Sequence, residues 1–285
     1  MFGPSECMFG ETTNHHRSND FREFLSGLEH KFKRKFAIQD DWVVLFLAGG
    51  GTLANESILA SFDCVVDGPN TPFVERLHRL NKYNHRNSPP KVRCCLAYDT
   101  ALSMPIDVLP SDDLLTFVDC VSSFPYYQPS GGVDAWSTVS GKQLGSTPGI
   151  GILAMSPKFL DLARVDSSHS VLSVADQLEY RVNGETPHTP AISLLEDLDR
   201  VLDLFSLADH TAMIHNRREL LEAVVPDEFI VGHGPVFTVR AGKLPDWLIH
   251  KWDLYPGMVG PQLFLHAEGD WADIMRELGE IKWHC

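Results

Sequence analysis

The stretch "DWVVLFLAGGGTLANESILASF", residues 41–62, predicts a buried strand, a glycine turn and a helix in direct succession. Two more short apolar runs, "KVRCCLAYDTA" (91–101) and "DLLTFVDCVSS" (113–123), end in small polar residues, and "GIGILAMS" (149–156) adds another strand. Parallel strands whose C-terminal ends carry a site have this appearance. The pattern therefore predicts an α/β fold with a mostly parallel sheet and a ligand at its carboxyl edge.

Helical patterns and a smaller unit account for the rest of the chain. Residues 20–36 and 189–224 carry apolar side chains at helical spacing. The stretches "EFIVGHGPVFTV" (228–239) and "PQLFLHA" (261–267) predict strands, and "DWADIMRELGEI" (270–281) predicts a helix. Together these last three segments indicate a small C-terminal α+β unit.

The composition argues against several classes of protein. With 285 residues, 44% of them hydrophobic, the chain can bury a substantial core, yet no window approaches the ~20 apolar residues that span a bilayer. The N-terminus has no basic-then-apolar signal pattern, so we expect a cytoplasmic location and no membrane partner. The net charge of -14 argues against a nucleic-acid partner, because phosphate neutralisation requires clustered lysines and arginines. The densest basic run, "HKFKRKF" (30–36), is expected at the solvated end of the first helix.

The cysteines predict neither a metal site nor a disulfide framework. Their spacing does not match metal-binding patterns, and a chain of this length needs no cross-links to fold. We therefore expect free thiols at all six positions, which are Cys7, Cys64, Cys94, Cys95, Cys120 and Cys285.

A glycine triplet followed by a hydroxyl, Gly49-Gly50-Gly51-Thr52, opens the helix of the first stretch. Backbone amides at a helix start, with the positive end of the helix dipole, suit a phosphate group. The triplet has neither the lysine of a P-loop nor the spacing of a dinucleotide fingerprint. Taken alone, it is also consistent with a plain tight turn.

Two charged residues stand beside apolar strands. Asp119 directly follows the run "LLTFV", so its carboxylate lies at a buried strand end and needs a cationic or hydrogen-bonding partner. A helix N-cap is the alternative role for it. Lys142 lies in a run of Ser, Thr and Gly just ahead of "GIGILAM", where a charge is costly. A solvated surface turn is the alternative for this lysine.

A phosphate-binding turn, a buried acid and a lysine, in that order, are the parts needed to hold pyridoxal phosphate. The turn binds the phosphate, the acid keeps the pyridine nitrogen protonated, and the lysine forms the Schiff base. A partly dry cleft lowers the pKa of such a lysine, which must lose its proton readily. The small residues around Lys142 leave room for the ring.

Several motifs, in unchanged order, resemble fold-type I pyridoxal-phosphate enzymes of the class V aminotransferase group, which includes phosphoserine and alanine-glyoxylate aminotransferases. The stretch "GPSE" with "NHHRSNDFREFL" resembles the opening of that family, and "LFLAGGGTLANES" resembles its glycine turn. "FVDCVSS" is similar to its Val-Asp-x-x-Ser strand end, and "VDAWSTVSGKQLGSTPGIGIL" to its lysine segment. "ETPHTPAISLLEDLDRVLD" resembles the Thr-Pro-Pro-Thr helix start that follows the lysine.

This resemblance implies a division of the chain and a role for each matching residue. Residues 1–203 would form the cofactor-binding domain with an N-terminal interface segment, residues 204–285 the small domain, and two chains a homodimer with shared sites. The implied cofactor and catalytic residues are Lys142 for the Schiff base, Asp119 for the pyridine nitrogen, Gly50, Gly51 and Thr52 for the phosphate, Ser140 as a helper, Thr100 near the ring, and Thr186 for the phosphate of the neighbouring subunit.

His16 and Arg17 match a family pair that helps to bind the anionic group of the substrate across the interface. Arg17 has an alternative role, which is to cap the first helix or to pair with Asp20 or Glu23 on it. The resemblance thus implies that part of each site comes from a second copy of the chain.

Three departures from the family pattern affect the expected site. Between "ESILASF" and "KVRCCLAY" only residues 63–90 remain, where the family usually has a longer stretch with a strand and an aromatic residue that stacks on the cofactor. This stretch includes the expected exposed loop "YNHRNSPP" (83–90). Gly141 precedes the lysine where the family often has Gln or His, and "PQLFLHAEGD" lacks the arginine that usually holds the substrate α-carboxylate.

Three functions follow from these observations. The first is a pyridoxal-phosphate aminotransferase in which Lys142 moves a proton between the substrate and the cofactor. The second is a pyridoxal-phosphate decarboxylase or lyase acting on an amino acid or an amino-acid conjugate, including one attached to a nucleobase or sugar. The missing arginine favours it, because loss of CO₂ gains from a poorly neutralised carboxylate. The third is a non-catalytic binding or regulatory member of the fold.

Overall fold

The computed structural model describes residues 16–84, 89–108, 111, 113–129, 131–165 and 170–283. The predicted "GPSE" motif and the two cysteines nearest the chain ends, Cys7 and Cys285, lie outside these residues, as do positions 85–88 of the predicted exposed loop. The strands in the described part of the chain are β1 (Val43–Ala48), β2 (Cys64–Val66), β3 (Val92–Leu96), β4 (Tyr98–Asp99), β5 (Met104–Pro105), β6 (Leu115–Asp119), β7 (Ala135–Val139), β8 (Ile150–Met155), β9 (Ile230–Val231), β10 (Val236–Val239), β11 (Tyr255–Pro256) and β12 (Pro261–Phe264).

The helices follow the predicted segments and add several short ones. They are α1 (Asn19–Lys35), α2 (Gly51–Ser61), α3 (Pro72–Asn84), α4 (Pro157–Val165), α5 (Val174–Arg181), α6 (Ile192–Leu204), α7 (Leu207–Glu222), α8 (Asp246–Lys251) and α9 (Trp271–Gly279), with a 3₁₀ turn at Asp227–Phe229. The segment predicted as helical over 189–224 is therefore two helices, separated at Ser206, whose hydroxyl caps α7 by accepting from the amide of Asp209.

The large sheet has the order β1-β8-β7-β6-β3-β2. Strand β8 is antiparallel to both of its neighbours, β1 and β7, and the pairs β7–β6, β6–β3 and β3–β2 are parallel. The carboxyl ends of β3, β6 and β7 consequently meet at one edge of the sheet. The prediction of an α/β fold with a mostly parallel sheet is confirmed.

Helices cover both faces of this sheet, because the strands are apolar on both sides. In β1, Leu45 and Leu47 pack into a core beneath α2 and α3, whereas Val44 and Phe46 pack into a second core beneath α1 and α6. Successive side chains of a strand point to opposite faces, so one continuous apolar run serves both cores.

The basic run was expected at the solvated end of the first helix, and this is only partly so: the run lies at the end of α1 with His30 and Arg34 exposed, but its lysines make other contacts. Lys33 is buried and forms an ion pair with Glu29 at 3.2 Å. Lys31 pairs with Asp199 of α6 at 2.7 Å, and the ammonium of Lys35 donates to the carbonyl of Phe205 at 2.8 Å. Because α6 packs against α1, the end of α6 supplies partners for Lys31 and Lys35, whereas Lys33 pairs within α1.

A second, antiparallel sheet of order β11-β12-β10-β9 lies in the C-terminal part of the chain. Together with α7, α8 and α9 it encloses a third core, which includes Ile214, Phe237, Leu248, Leu265 and Leu278. The predicted small α+β unit is thus present. The exact domain boundary, between residues 203 and 204, stays a prediction.

Two further expectations concern location and cysteine chemistry. Among the described helices, none combines the length and the apolar character needed to cross a membrane. The cytoplasmic location stays a prediction. Cys64, Cys94, Cys95 and Cys120 are buried free thiols.

Candidate active site

A cavity of about 360 Å³ opens where the parallel strands end. Asp119 at the end of β6 and Val139 at the end of β7 line it, together with Gly51 at the start of α2 and Lys142 in the loop between β7 and β8. Its size and the convergence of charged and polar groups are typical of small-molecule sites. The cavity therefore lies at the sheet edge that the sequence predicted.

The loop between β7 and β8 directs Lys142 into this cavity. A Cβ atom on Gly141 would lie 2.5 Å from the Cα atom of Pro148, so only glycine allows the two sides of the loop to approach so closely. The Nζ atom of Lys142 donates to the hydroxyl of Ser122 at 2.8 Å. Burial lowers the pKa of Lys142, while the negative charge of Asp119 partly opposes that shift. Lys142 is therefore not a solvated surface lysine.

Asp119 projects from the last position of β6, and its two carboxylate oxygens have separate partners. The side-chain amide of Asn55 donates to Oδ2 at 2.6 Å, and the backbone amide of Val121 donates to Oδ1 at 2.8 Å. Burial raises the pKa of Asp119, and the bond from Val121, the charge of Lys142 and the bond from Asn55 lower it. The carboxylate is thus held in a fixed orientation facing a cationic neighbour.

The helix start beside these residues is packed too closely for any residue but glycine. A Cβ atom on Gly51 would lie 2.4 Å from Cγ2 of Val121, whereas one on Gly50 would meet nothing within 4 Å. Gly50 caps the helix, and its carbonyl accepts from the amide of Leu53 at 2.9 Å. Gly51 and Thr52 line the cavity, and their amides belong to the helix turn that has no intrahelical acceptor. This geometry suits an anionic group at the cavity floor.

The opposite wall comes from the segment after β3 and from α3. Thr100 lines the cavity, and its buried Oγ1 atom has no hydrogen-bond partner among the described residues. The side-chain amide of Gln262 in β12 donates to the carbonyl of Thr100 at 2.6 Å. Phe73 and Tyr98 supply aromatic side chains to the same wall.

The C-terminal sheet is also bound to this wall through other residues of the same segment. The hydroxyl of Tyr98 donates to the carbonyl of His233 at 2.8 Å. The amide of His233 donates to the carbonyl of Ser103 at 2.9 Å, and the hydroxyl of Ser103 donates to the carbonyl of Val236 at 3.2 Å. The wall is thus held from both sides, by the large sheet and by the small one.

Five predicted site residues lie away from this cavity or serve other contacts. Gly50 caps α2 but is not among the residues that line the cavity. The hydroxyl of Ser140 donates to the carbonyl of Thr147 at 2.7 Å and stabilises the lysine loop, so its placement does not support a phosphate contact. Thr186 lines a separate cavity beside β1, where its hydroxyl donates to the carbonyl of His188 at 2.7 Å. His16 and Arg17 precede α1 and do not line the cavity of Lys142. The predicted roles of Thr186, His16 and Arg17 require a second subunit and stay predictions.

Three site residues were not identified from the sequence. Asn55 lies one helical turn after Gly51 and so reaches the same face of α2. Ser122 accepts a hydrogen bond from Lys142. It lies three residues after Asp119, in the "VSS" that ends the stretch containing β6. Phe73 belongs to residues 63–90, the stretch that is shorter than in the family and for which no stacking residue was named. The structure shows a short strand there, β2, and places Phe73 of α3 in the lining of the cavity.

Comparisons with known proteins give a consistent result at the level of structure. No protein-family model matches the sequence, and no curated protein matches it. Among solved structures, an aspartate aminotransferase of subgroup IV from Thermus thermophilus has a TM-score of 0.77 and 21% identity, over 94% of this chain and 92% of that one. An alanine–glyoxylate aminotransferase from Nostoc sp. has a TM-score of 0.76 and 17% identity, over 94% and 88%.

A PLP-bound phosphoserine aminotransferase from Trichomonas vaginalis has a TM-score of 0.73 and 11% identity, over 94% of this chain and 90% of that one. All three match the fold of this chain over about nine-tenths of their length, at sequence identities of only 11–21%. The chain therefore has the fold-type I architecture of these aminotransferases, as its sequence predicted.

Proposed function

We propose that the protein is a pyridoxal-phosphate-dependent aminotransferase acting on an amino acid or a similar small molecule. One observation carries the proposal: Lys142 and Asp119 face the same cavity, each held by a hydrogen bond from or to a neighbouring side chain. A lysine of lowered pKa and a fixed carboxylate at the carboxyl edge of a parallel sheet are the groups that this chemistry needs. The fold shared with solved aminotransferases supports the same function.

The residues present are suited to hold this cofactor. Gly51 and Thr52 offer amides for its phosphate, Asp119 a carboxylate for its ring nitrogen, and Lys142 an amine for its aldehyde carbon. The buried Oγ1 atom of Thr100 has no hydrogen-bond partner among the residues that the structure describes, and a ligand in the cavity could supply one. Phe73 is the aromatic side chain that we propose for contact with the ring face.

When bound, pyridoxal phosphate supplies an aldehyde for amines and a protonated ring that withdraws electrons from the substrate. The chain's own residues orient the reactants and move protons. Lys142, whose lowered pKa increases the fraction of neutral amine, can accept a proton at Nζ and return it. Ser122 orients Nζ of Lys142 by accepting a hydrogen bond at its hydroxyl. Asp119 would keep the ring nitrogen of the bound cofactor protonated.

Reduction by borohydride followed by mass spectrometry tests the proposal directly. Wild-type protein incubated with pyridoxal phosphate should show a visible absorption band and, after reduction, a covalent adduct on the peptide of Lys142. The Lys142→Ala variant should show no adduct and no turnover, although it can still bind the cofactor through the phosphate. An adduct retained in the variant would move the site to another lysine.

A second function, decarboxylation or elimination, is favoured by one observation. Strand β12, where an arginine for the substrate carboxylate was expected, contains none. Mass analysis of the products separates the two reactions. A keto acid with aminated cofactor indicates transfer, whereas an amine with CO₂ indicates decarboxylation. Absence of any adduct or product with amino acids would favour the non-catalytic role.

We propose further that two chains form a homodimer with shared sites, so that His16 and Arg17 reach the substrate and Thr186 the phosphate of the partner. Mixing inactive Arg17→Ala subunits with inactive Lys142→Ala subunits should restore part of the activity, because one site of the mixed dimer keeps both residues. Exchanged dimers that remain inactive would remove Arg17 from the site of the neighbouring subunit.

A further inference from the structure

Arg217 in α7 is a half-buried cation that no carboxylate neutralises among the described residues. Its Nη1 atom donates to the carbonyls of Leu265 at 2.6 Å and Ala267 at 2.9 Å, and its guanidinium lies 4.5 Å from the ring centre of Trp271. These contacts leave Nε and Nη2 without a partner in the described part of the chain.

His266 lies between the two residues whose carbonyls Arg217 holds. Its Nδ1 atom is buried and has no hydrogen-bond partner in the part of the chain that the structure describes. Burial lowers the pKa of His266 to about 4, and the positive charges of His210, Lys142 and Arg217 lower it in the same direction. At neutral pH this imidazole is therefore uncharged, and its Nδ1 atom is a buried polar atom without a partner among the described residues.

His210 connects this pair to the candidate active site. Its Nε2 atom lies 3.2 Å from Oε1 of Gln143, the residue after Lys142. The side-chain amide of Gln143 donates to the carbonyl of Ser122 at 2.7 Å, and the hydroxyl of Ser122 accepts from Lys142. Burial and the charge of Arg217 lower the pKa of His210. A single glutamine thus separates His210 from the serine that orients Lys142.

We propose that Arg217, His210 and His266, here called the cationic cluster, bind a carboxylate group of the substrate beside Lys142. The inference rests on the proposed function for the identity of that substrate, but the binding itself requires no turnover. The free N–H groups of Arg217 match a carboxylate in geometry, and the unpartnered Nδ1 atom of His266 can donate one further hydrogen bond. The Nε2–H group of His210 already donates to Oε1 of Gln143, so His210 can donate from Nδ1 only when its ring is protonated. A bound carboxylate would also neutralise the guanidinium of Arg217 and favour the protonated form of both imidazoles.

The cluster also explains how a carboxylate can be held when β12 has no arginine. Arg217 reaches the same region from α7, because its guanidinium bonds to the carbonyls that directly follow β12. A cation supplied by α7 would thus take the place of one supplied by the strand.

A purely structural role is the competing explanation. Arg217 anchors the loop between β12 and α9 through two carbonyls and Trp271, and such an anchor would stabilise the fold without binding any ligand. The two roles differ in one measurable respect, since only a binding site distinguishes a charged ligand from an uncharged one of the same shape.

Calorimetric titration with succinate, and with succinamide as its uncharged analogue, tests the proposal on the protein loaded with pyridoxal phosphate. Wild type should bind succinate saturably and much more tightly than succinamide. Arg217→Gln and His266→Gln should each weaken succinate binding at least about tenfold. The matched control is His215→Gln, on the exposed face of α7, where the imidazole contacts Tyr126; it should bind succinate as wild type does.

Several outcomes would overturn the proposal. Equal binding of succinate and succinamide by wild type, or unchanged succinate binding in Arg217→Gln and His266→Gln, would leave the cluster with a structural role only. Arg217→Lys keeps the charge and tests the site if Arg217→Gln fails to fold; it too should bind succinate more weakly. The borohydride adduct on Lys142, measured in the same samples, reports separately on the proposed function.

Discussion

The side-chain amide of Asn55 and the carboxylate of Asp119 form a 2.6 Å hydrogen bond that links α2 to the end of β6. The hydroxyl of Ser137 donates to the other end of the amide, at 2.5 Å, and fixes its orientation. Removal of the amide should therefore disturb the carboxylate that faces Lys142.

We expect Asn55→Ala to weaken pyridoxal-phosphate binding roughly tenfold to hundredfold, because a hydrogen bond to a charged group contributes about 1.5–3 kcal/mol. The bond from Asn55 also lowers the pKa of Asp119, so its loss should raise that pKa further. A cofactor titration followed by absorbance measures the effect. Ser137→Ala is the control: it leaves the contact with Asp119 in place and should cost less.

Asp119 and Asp134 are both close to Lys142 in sequence, and their substitution should have different effects. The carboxylate of Asp134 accepts from the amide of Thr116 at 2.8 Å, at the opposite end of β6 from the cavity. Asp119→Ala should therefore weaken cofactor binding about tenfold to hundredfold and abolish turnover, whereas Asp134→Ala should lower the melting temperature and leave cofactor affinity nearly unchanged. Equal losses of affinity at the two positions would contradict the assignment of Asp119.

Gly51 should be irreplaceable where Gly50 is not. The Cβ atom in Gly51→Ala would overlap with Val121, which should cost ~1–3 kcal/mol of stability and displace the helix start from the cavity. Gly50→Ala has open space and a φ of -87°, so it should cost far less. Urea denaturation and cofactor titration measure both effects. Adding Val121→Ala to Gly51→Ala should restore much of the loss, and failure to do so would show that the overlap is not the cause.

The pH dependence of covalent cofactor attachment should report the lowered pKa of Lys142. Only the neutral amine attacks an aldehyde, so adduct formation should rise with pH and level off above the pKa of Lys142, below the ~10.4 of an ordinary lysine. Because the negative charge of Asp119 raises that pKa, Asp119→Asn should move the midpoint to lower pH. Borohydride trapping at fixed times measures the midpoint, and a shift to higher pH would contradict the coupling.

Much of the fold could be predicted because long apolar runs and glycine turns carry local signals. The pattern of residues 41–62 predicted a strand and a helix, and both are observed within two residues of the predicted bounds. Strand direction was not predictable, since β8 is apolar on both faces like its neighbours, yet it runs antiparallel to them. Strand β2 was missed because it has only three residues, of which Val65 is 40% exposed.

The site was predictable where chemistry follows directly from a strand end, as at Asp119, and where a charged residue interrupts small ones, as at Lys142. Asn55 could not be identified, because its role depends on how α2 packs against the end of β6. The cationic cluster was equally hidden, since its members lie on α7 and after β12, which only the folded chain brings together.

Two hydrogen bonds, from Gln262 to Thr100 and from Tyr98 to His233, connect the C-terminal part of the chain to the active-site cavity. Removal of the C-terminal part should therefore affect the cavity. The C-terminal eighty or so residues resemble a detachable module, with their own sheet and their own core. A chain that ends before residue 205 would nevertheless lack Gln262 and His233, which form hydrogen bonds with Thr100 and Tyr98. We therefore expect the truncated product to lose one wall of the active-site cavity even if its large sheet still assembles.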